Sequence, residues 1–114
     1  MSVSYFVRYE IELADREAFV THYRKHHVPI LARWPGIERV MLHTPLDWND
    51  PFPVNRGRAV LLAQLEFESR EAMEAAFRSP ERAEARDDFK RFPAFSGSVT
   101  HQAMETHEAW RRSG

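Results

Sequence analysis

Alternating apolar residues predict the strands of this chain. Between residues 3 and 11 the odd positions are all apolar or aromatic and the even positions are mostly polar, so one face of this strand must be covered. Residues 58–68 form the strongest predicted strand. Because Val60-Leu61-Leu62-Ala63 is apolar on both faces, we expect this strand at the centre of a sheet. Residues 37–44 and 98–106 predict two further strands, the last one at an edge.

Two helical segments separate these strands. Asp15 is the expected N-cap of the first, and Pro35-Gly36 ends it, because proline disfavours helical geometry in the preceding residue and glycine tolerates a sharp turn. Ser69 is expected to cap the second, which restarts at Ser79-Pro80. The first segment carries apolar residues at helical spacing: Phe19, Tyr23, Ile30 and Trp34. The order βαββαβ predicts an α+β protein whose four-stranded antiparallel sheet has both helices on one face.

A proline lies inside the first helical pattern. Pro29 has no N–H to donate to the carbonyl of Lys25, so the helix should kink or loosen around residues 25–28. One interpretation is that two separate helices meet at Val28-Pro29. The other is that the kink directs His27 into a cavity.

His27 is the first candidate for chemistry, because an imidazole accepts or donates a proton near neutral pH. A helical wheel places His27 well inside the apolar stripe, His26 at its edge and His22 outside it. The alternative is a core histidine whose ring nitrogens bond to backbone carbonyls. Tyr23, one turn earlier on the stripe, and His43, at the end of the second strand, are further catalytic candidates. The alternation along that strand would place His43 on the other sheet face.

The remaining motifs predict neither a metal nor an organic cofactor. His22 and His26 are four residues apart, which is suitable spacing for a shared metal on a helix. No carboxylate completes a recognisable motif, however, and six histidines in one chain make such pairs frequent. The sequence also contains no glycine-rich phosphate loop, nucleophile elbow or dinucleotide fingerprint.

Composition narrows the class of protein. The chain has 16 basic and 17 acidic residues, a net charge of −1 and no basic run, which argues against nucleic-acid binding. It has no cysteine, which favours a reducing compartment, and its hydrophobic pattern leads us to expect neither a targeting nor a membrane-spanning segment. We therefore expect a cytoplasmic protein that does not bind membranes, folded as a single domain over residues 1–114.

The sheet face opposite the helices predicts a homodimer. An apolar patch on a small protein usually marks an interface, so we expect a two-fold dimer with the open sheet faces packed together. The alternative is a monomer with a half-polar, hydrated sheet face. The loop over residues 45–57 carries Trp48 and Phe52, which either pack the loop down or reach a partner. The open face is expected to carry four apolar side chains: Phe6, Met41, Val60 and Leu62.

The run His27-Val28-Pro29-Ile30, followed by Trp34-Pro35-Gly36-Ile37, resembles the EthD family. That family is named for a protein encoded with an ethyl tert-butyl ether degradation pathway. Its members have His-x-Pro-Leu late in the first helix and Pro-Gly before the second strand; here Ile30 replaces the usual leucine. Residues 77–81 and the pair Asp87-Asp88 resemble the family's second-helix region.

The resemblance implies a ferredoxin-like subunit of the dimeric α+β barrel superfamily. That superfamily also includes cofactor-free monooxygenases, muconolactone isomerases and polyketide-processing enzymes. The first hypothesis is therefore a cofactor-independent enzyme, whether isomerase, monooxygenase or lyase, that acts on a small apolar carbonyl or lactone compound in catabolism. His27 would transfer the proton, and Trp34, Phe77 and Trp48 would contact the substrate. The second hypothesis is a non-catalytic, dimeric accessory or ligand-binding protein of a degradation pathway.

Overall fold

Four strands form one antiparallel sheet in the computed structural model, which describes residues 2–114. The strands are β1 (Ser2–Glu12), β2 (Ile37–His43), β3 (Leu61–Phe67) and β4 (Ser96–Thr106). They lie in the order β2-β3-β1-β4. The strongest predicted strand is therefore central, and the last strand is at an edge, as the sequence predicts.

The first helical region is continuous through three segments. It begins with helix α1 (Arg16–His22), passes through a π-helical turn (Tyr23–His27) and ends with helix α2 (Val28–Leu31). The Val28 N–H donates to the Tyr23 carbonyl, the five-residue spacing of a π turn. The predicted loosening before Pro29 thus takes the form of a wider turn rather than a break between two helices.

The second helical region consists of α3 (Arg70–Phe77), α4 (Pro80–Asp88) and a 3₁₀ turn (Phe89–Arg91). The predicted caps are present: the Ser69 hydroxyl accepts a hydrogen bond from the Ala72 N–H at 3.1 Å, and Ser79 caps α4. The βαββαβ order of the prediction is therefore confirmed. Within residues 2–114, no helix is long and apolar enough to cross a membrane.

The core lies between the helices and one face of the sheet. The odd residues of β1 and alternate residues of β3 face it, because side chains alternate along a strand. Val60 also belongs to this core and is only 3% exposed, so its predicted place on the open face is wrong. It lies one residue before β3, where its N–H donates to the Tyr9 carbonyl, and the strand alternation does not extend to it.

Within residues 2–114, no helix lies over the opposite sheet face. Phe6, Met41 and Leu62 lie there and are half-buried, among polar contacts such as the ion pair between Arg39 and Glu66. The adjoining loop over residues 45–57 has no regular secondary structure. Several large apolar side chains of the loop are exposed: Leu46, Trp48, Phe52 and Val54.

Candidate active site

A small cavity lies between the π-helical turn, α4 and the core face of the sheet. Its volume is about 30 Å³, which is space for about two water molecules. Most of its wall is aromatic or aliphatic, and includes Tyr9, Tyr23 and Trp34. His27 from the π turn and His101 from β4 add polar groups. The cavity therefore combines an apolar enclosure with a few groups able to exchange protons.

The π turn places His27 inside this cavity. Tyr23 and His27 are its first and last residues, and their ring centroids are 4.6 Å apart. The His27 ring also packs against Phe89 and Phe92, each with its centroid at 5.2 Å. As a result, His27 is only 3% exposed. The sequence-based placement of this ring within the apolar stripe agrees with the structure.

A carboxylate from the second helical region binds two histidines of the first. The Nδ1 atom of His27 lies 3.0 Å from Oδ2 of Asp88, and Nε2 of His22 lies 3.1 Å from the same oxygen. Asp88 is 3% exposed, so this contact is buried. Its other oxygen, Oδ1, lies 3.8 Å from an Arg91 guanidinium nitrogen. Asp88 therefore fixes the orientation of the His27 ring.

The charge states of this pair follow from its surroundings. Burial lowers the pKa of His27 below 6.5, although the hydrogen bond to Asp88 partly opposes that shift. Burial alone would raise the pKa of Asp88, but its hydrogen bonds from His27 and His22 outweigh burial and hold it below its usual 3.8. Near neutral pH, Asp88 is thus an anion facing a neutral His27.

These charge states determine the tautomer of His27. An ionised carboxylate only accepts hydrogen bonds, so Nδ1 of His27 carries the proton and donates it to Asp88. The other ring nitrogen, Nε2, then holds a free lone pair. The His27 side chain lines the cavity, and its contact with Asp88 is made through Nδ1. The arrangement is that of a buried base held by a carboxylate.

Asp88 is the site residue that the sequence analysis did not identify. The charged residues in the segment 87–91 are typical of a solvated turn of helix. Asp87 does pair with Lys90 at the surface. Asp88, however, occupies the inward stripe formed by Ala85, Phe89 and Phe92, at spacings of three and four residues. A polar residue in that stripe was the available signal.

The predicted order of burial for His22 and His26 is reversed. His22, expected outside the stripe, has a side chain only 16% exposed and contacts Asp88, whereas His26 is exposed. A wheel with α-helical spacing fails here because the π turn contains an extra residue. Across residues 2–114, no group of three or more His, Cys, Asp or Glu side chains is placed to hold a metal ion.

The other predicted site residues fall into two groups. Tyr23 and Trp34 line the cavity with His27, and Phe77 packs behind the wall, with its ring centroid 6.4 Å from that of Trp34. His43 lies on the open sheet face, as its strand alternation predicts, and contacts Gln64. Trp48 borders the same region. These two residues are therefore separated from His27 by the sheet.

Two further features of the cavity are polar. The Tyr5 hydroxyl lies 2.6 Å from Nδ1 of His101; because burial raises the pKa of Tyr5, this hydroxyl keeps its proton and donates it. Trp34 is 5% exposed, and its Nε1–H is the single buried side-chain polar atom in residues 2–114 without a partner. An unpaired buried donor is costly, so this N–H reduces the stability of the cavity wall.

Fold and cavity together define a ferredoxin-like α+β protein in which a buried histidine–aspartate pair joins the two helical regions. The family model for the EthD domain matches residues 12–96. This chain belongs to the EthD family. One relative is an uncharacterised 11.0 kDa protein from the thcB–thcC intergenic region of Rhodococcus erythropolis. It is 39% identical over 89 residues, which cover 76% of this chain and 79% of the relative.

Solved structures share the fold at low sequence identity. An EthD family protein from Bacillus halodurans superposes with a TM-score of 0.71 at 22% identity, covering 94% of this chain and 100% of that one. A monooxygenase from Streptomyces coelicolor, solved with nanaomycin D, gives 0.70 at 19% identity, covering 98% and 93%. The cofactor-independent oxygenase SnoaB from Streptomyces nogalater gives 0.65 at 14% identity, covering 95% of each chain.

Proposed function

We propose that this EthD protein is a cofactor-independent enzyme that transfers a proton on a small, apolar carbonyl or lactone compound in catabolism. The observation that carries the proposal is the buried contact of 3.0 Å between His27 and Asp88 at the cavity. A neutral histidine with a free ring nitrogen is a suitable general base near pH 7. Two proteins of the same fold are an oxygenase and a monooxygenase. This supports the proposal that the present chain also acts on a small molecule.

In the proposed reaction, Nε2 of His27 removes a proton from the carbon next to the substrate carbonyl. The electron pair of the broken C–H bond moves onto the carbonyl oxygen, which becomes an enolate. Asp88 stabilises the imidazolium that forms, and the Tyr23 hydroxyl, from a residue that lines the cavity with His27, would donate to the enolate oxygen. In a substrate with a β,γ C=C bond, return of the proton from His27 to the γ-carbon, with movement of that double bond to the α,β position, would complete an isomerisation.

Tyr23 would assist as a neutral hydrogen-bond donor. Burial is the main cause that raises the pKa of its hydroxyl above the ordinary value of 10.0. The group therefore keeps its proton throughout the physiological range. A donor of this kind would orient a substrate oxygen without competing with His27 for the transferred proton.

One observation favours the second hypothesis, a non-catalytic ligand-binding or accessory protein. The cavity of about 30 Å³ is much smaller than the roughly 300–1,000 Å³ of ordinary ligand sites. On that hypothesis the histidine–aspartate pair would stabilise the helix packing only. The two hypotheses differ in whether His27 exchanges a proton with a bound molecule.

The deciding experiment measures loss of α-proton signals by ¹H NMR in D₂O for a panel of small ketones and lactones. The native protein should accelerate exchange, and His27→Gln should reduce the rate by about 10²–10⁴-fold. His26→Gln is the matched control, because His26 is an exposed neighbour, and should exchange at the native rate. Equal rates in native and His27→Gln proteins would refute the proposal. Binding of panel compounds without any accelerated exchange would support the second hypothesis.

We also propose that the protein is a homodimer through its open sheet faces. Phe6, Leu62 and Met41 lie on that face, and Met104 of β4 adds a side chain that is 47% exposed. Exposed apolar side chains of the loop over residues 45–57 lie beside it. Association of two such faces would remove this apolar surface from water.

A further inference from the structure

The cavity mouth carries two arginines without carboxylate partners. Arg82 and Arg86 lie one turn apart on α4, and both line the cavity. Most other ordered charges of this region are paired: Arg33 with Glu84, and Arg91 with Asp87. In the part of the chain that the structure describes, neither Arg82 nor Arg86 lies within 4.0 Å of a carboxylate oxygen. The mouth therefore has a local excess of positive charge.

The fold positions these guanidinium groups beside the cavity. Arg82 is half-buried, and its guanidinium carbon lies 4.5 Å from the centre of the Phe77 ring. Stacking on an aromatic face restricts a guanidinium group and leaves its N–H edge able to donate; one donor of Arg82 bonds to the Tyr5 hydroxyl, which acts against the burial that raises the pKa of Tyr5. The charge of both arginines also acts on His101, the partner of Tyr5. Burial is the main cause that lowers the pKa of His101, and the positive charges of Arg86 and Arg82 lower it further.

We propose that the substrate is a carbonyl compound that also carries a carboxylate, which Arg82 and Arg86 bind at the cavity mouth. This inference rests on the proposed function and narrows its substrate class. A guanidinium fork matches a carboxylate with two parallel hydrogen bonds. The apolar body of the ligand lies against Tyr9 and Trp34, which line the cavity.

The same arginines explain how a larger molecule enters a small cavity. Most of the wall is buried core, including Tyr9, Tyr23 and Trp34. Arg86, in contrast, is an exposed side chain on the surface of α4, and exposed side chains change rotamer on a picosecond-to-nanosecond timescale. Movement of the Arg86 guanidinium group onto an arriving anion widens the cavity at its mouth, while stacked Arg82 and the core remain packed.

A matched ligand pair tests this inference: 4-oxopentanoate and its methyl ester, which has the same ketone without the charge. Binding is followed by NMR through the indole N–H signal of Trp34, assigned with Trp34→Phe. We expect the acid to bind at least about tenfold more tightly than the ester. Arg82→Gln and Arg86→Gln should each weaken acid binding by about tenfold and leave ester binding unchanged. Arg16→Gln, an equal charge change at the start of α1, should alter neither.

Equal affinities for acid and ester, or an equal loss of both in the arginine variants, would overturn this inference. The proposed function would still stand if His27-dependent proton exchange were retained with neutral ketones. Conversely, preferential binding of the acid without any His27-dependent exchange would support the anion site and count against the catalytic proposal. The two failures are thus distinguishable.

Discussion

At the scale of single residues, one carboxylate controls the chemistry of the cavity. Asp88 accepts hydrogen bonds from His27 and His22 on the same oxygen, and its negative charge keeps the Nδ1 proton of His27 in place. Burial acts in the opposite direction on the imidazole and keeps it neutral. Two predictions follow from this pair: one concerns the pH dependence of the free energy of unfolding, and the other concerns the tautomer of His27.

The stability of the protein should decrease on acidification from about pH 7 to pH 5. Burial lowers the pKa of His27 in the folded state below its ordinary 6.5, so the unfolded chain binds more protons in this window. The contribution of His27 to the free energy of unfolding is fully present above pH 6.5 and is lost as the pH falls toward the folded-state pKa. His101, whose pKa is also lowered by burial first, adds to the same slope. Urea unfolding of His27→Gln should show a smaller pH dependence; the same slope as in His26→Gln would contradict this.

Replacement of Asp88 should disturb the tautomer of His27. In Asp88→Asn the buried charge-assisted bonds are lost, so we expect the free energy of unfolding to fall by about 1–3 kcal/mol. Long-range ¹H–¹⁵N NMR spectra should show a mixture of Nδ1–H and Nε2–H forms in place of Nδ1–H alone. Asp87→Asn is the control, because Asp87 is an exposed neighbour that pairs with Lys90. A pure Nδ1–H form in Asp88→Asn would show that the carboxylate does not select it.

At the scale of secondary structure, the π turn carries the histidine that lines the cavity, His27. The sequence predicts a distortion before Pro29 but not its type. A π turn shifts every later side chain relative to an α-helical wheel, and His27 at its end is buried whereas His26 is exposed. Since π turns occur frequently at functional sites, this distortion belongs to the proposed active site.

Pro29→Ala should relax the π turn. The substituted alanine would supply an N–H for the Lys25 carbonyl, which makes a regular α-helix possible. We expect unchanged or higher stability, slower His27-dependent proton exchange, and loss of the pure Nδ1–H form. Pro35→Ala, outside the helix, serves as the control. Native exchange together with a native His27 tautomer in Pro29→Ala would show that the proline does not maintain the turn.

At the scale of the whole molecule, the two sheet faces have different surroundings. One face packs against the helices and holds the cavity. The other carries half-buried Phe6 and Leu62, and none of the helices in the part of the chain that the structure describes lies over them. A sheet face of this composition is stable in water when a second subunit covers it. The proposed dimer would also place the loops over residues 45–57, with Trp48, at the subunit boundary.

Leu62→Glu should therefore convert the protein to a monomer. A charge in the middle of an apolar interface is costly to desolvate, so light scattering after size-exclusion chromatography should give the 13.4 kDa of one chain. The native protein should give twice that mass. Ala75→Glu, an exposed position on α3, should remain dimeric. A native protein of single-chain mass would contradict the proposed dimer.

The sequence by itself determined the local structure of this protein. The strand pattern around Tyr5 and Leu65, the serine caps of the second helical region and the glycine stop at Gly36, where φ is +76°, all depend on neighbours within a few residues. The βαββαβ order and the inward position of His27 follow from these local signals. For this reason they were predictable.

Only the tertiary structure decided what His27 contacts. Its partner Asp88 is 61 residues away in the chain, and no local pattern specifies such a pairing. The exclusion of His43 and Trp48 from the cavity likewise depends on which sheet face the helices cover. Local propensity and periodicity describe the neighbours of a residue along the chain, whereas the charge, tautomer and accessibility of a buried histidine depend on groups that folding brings together.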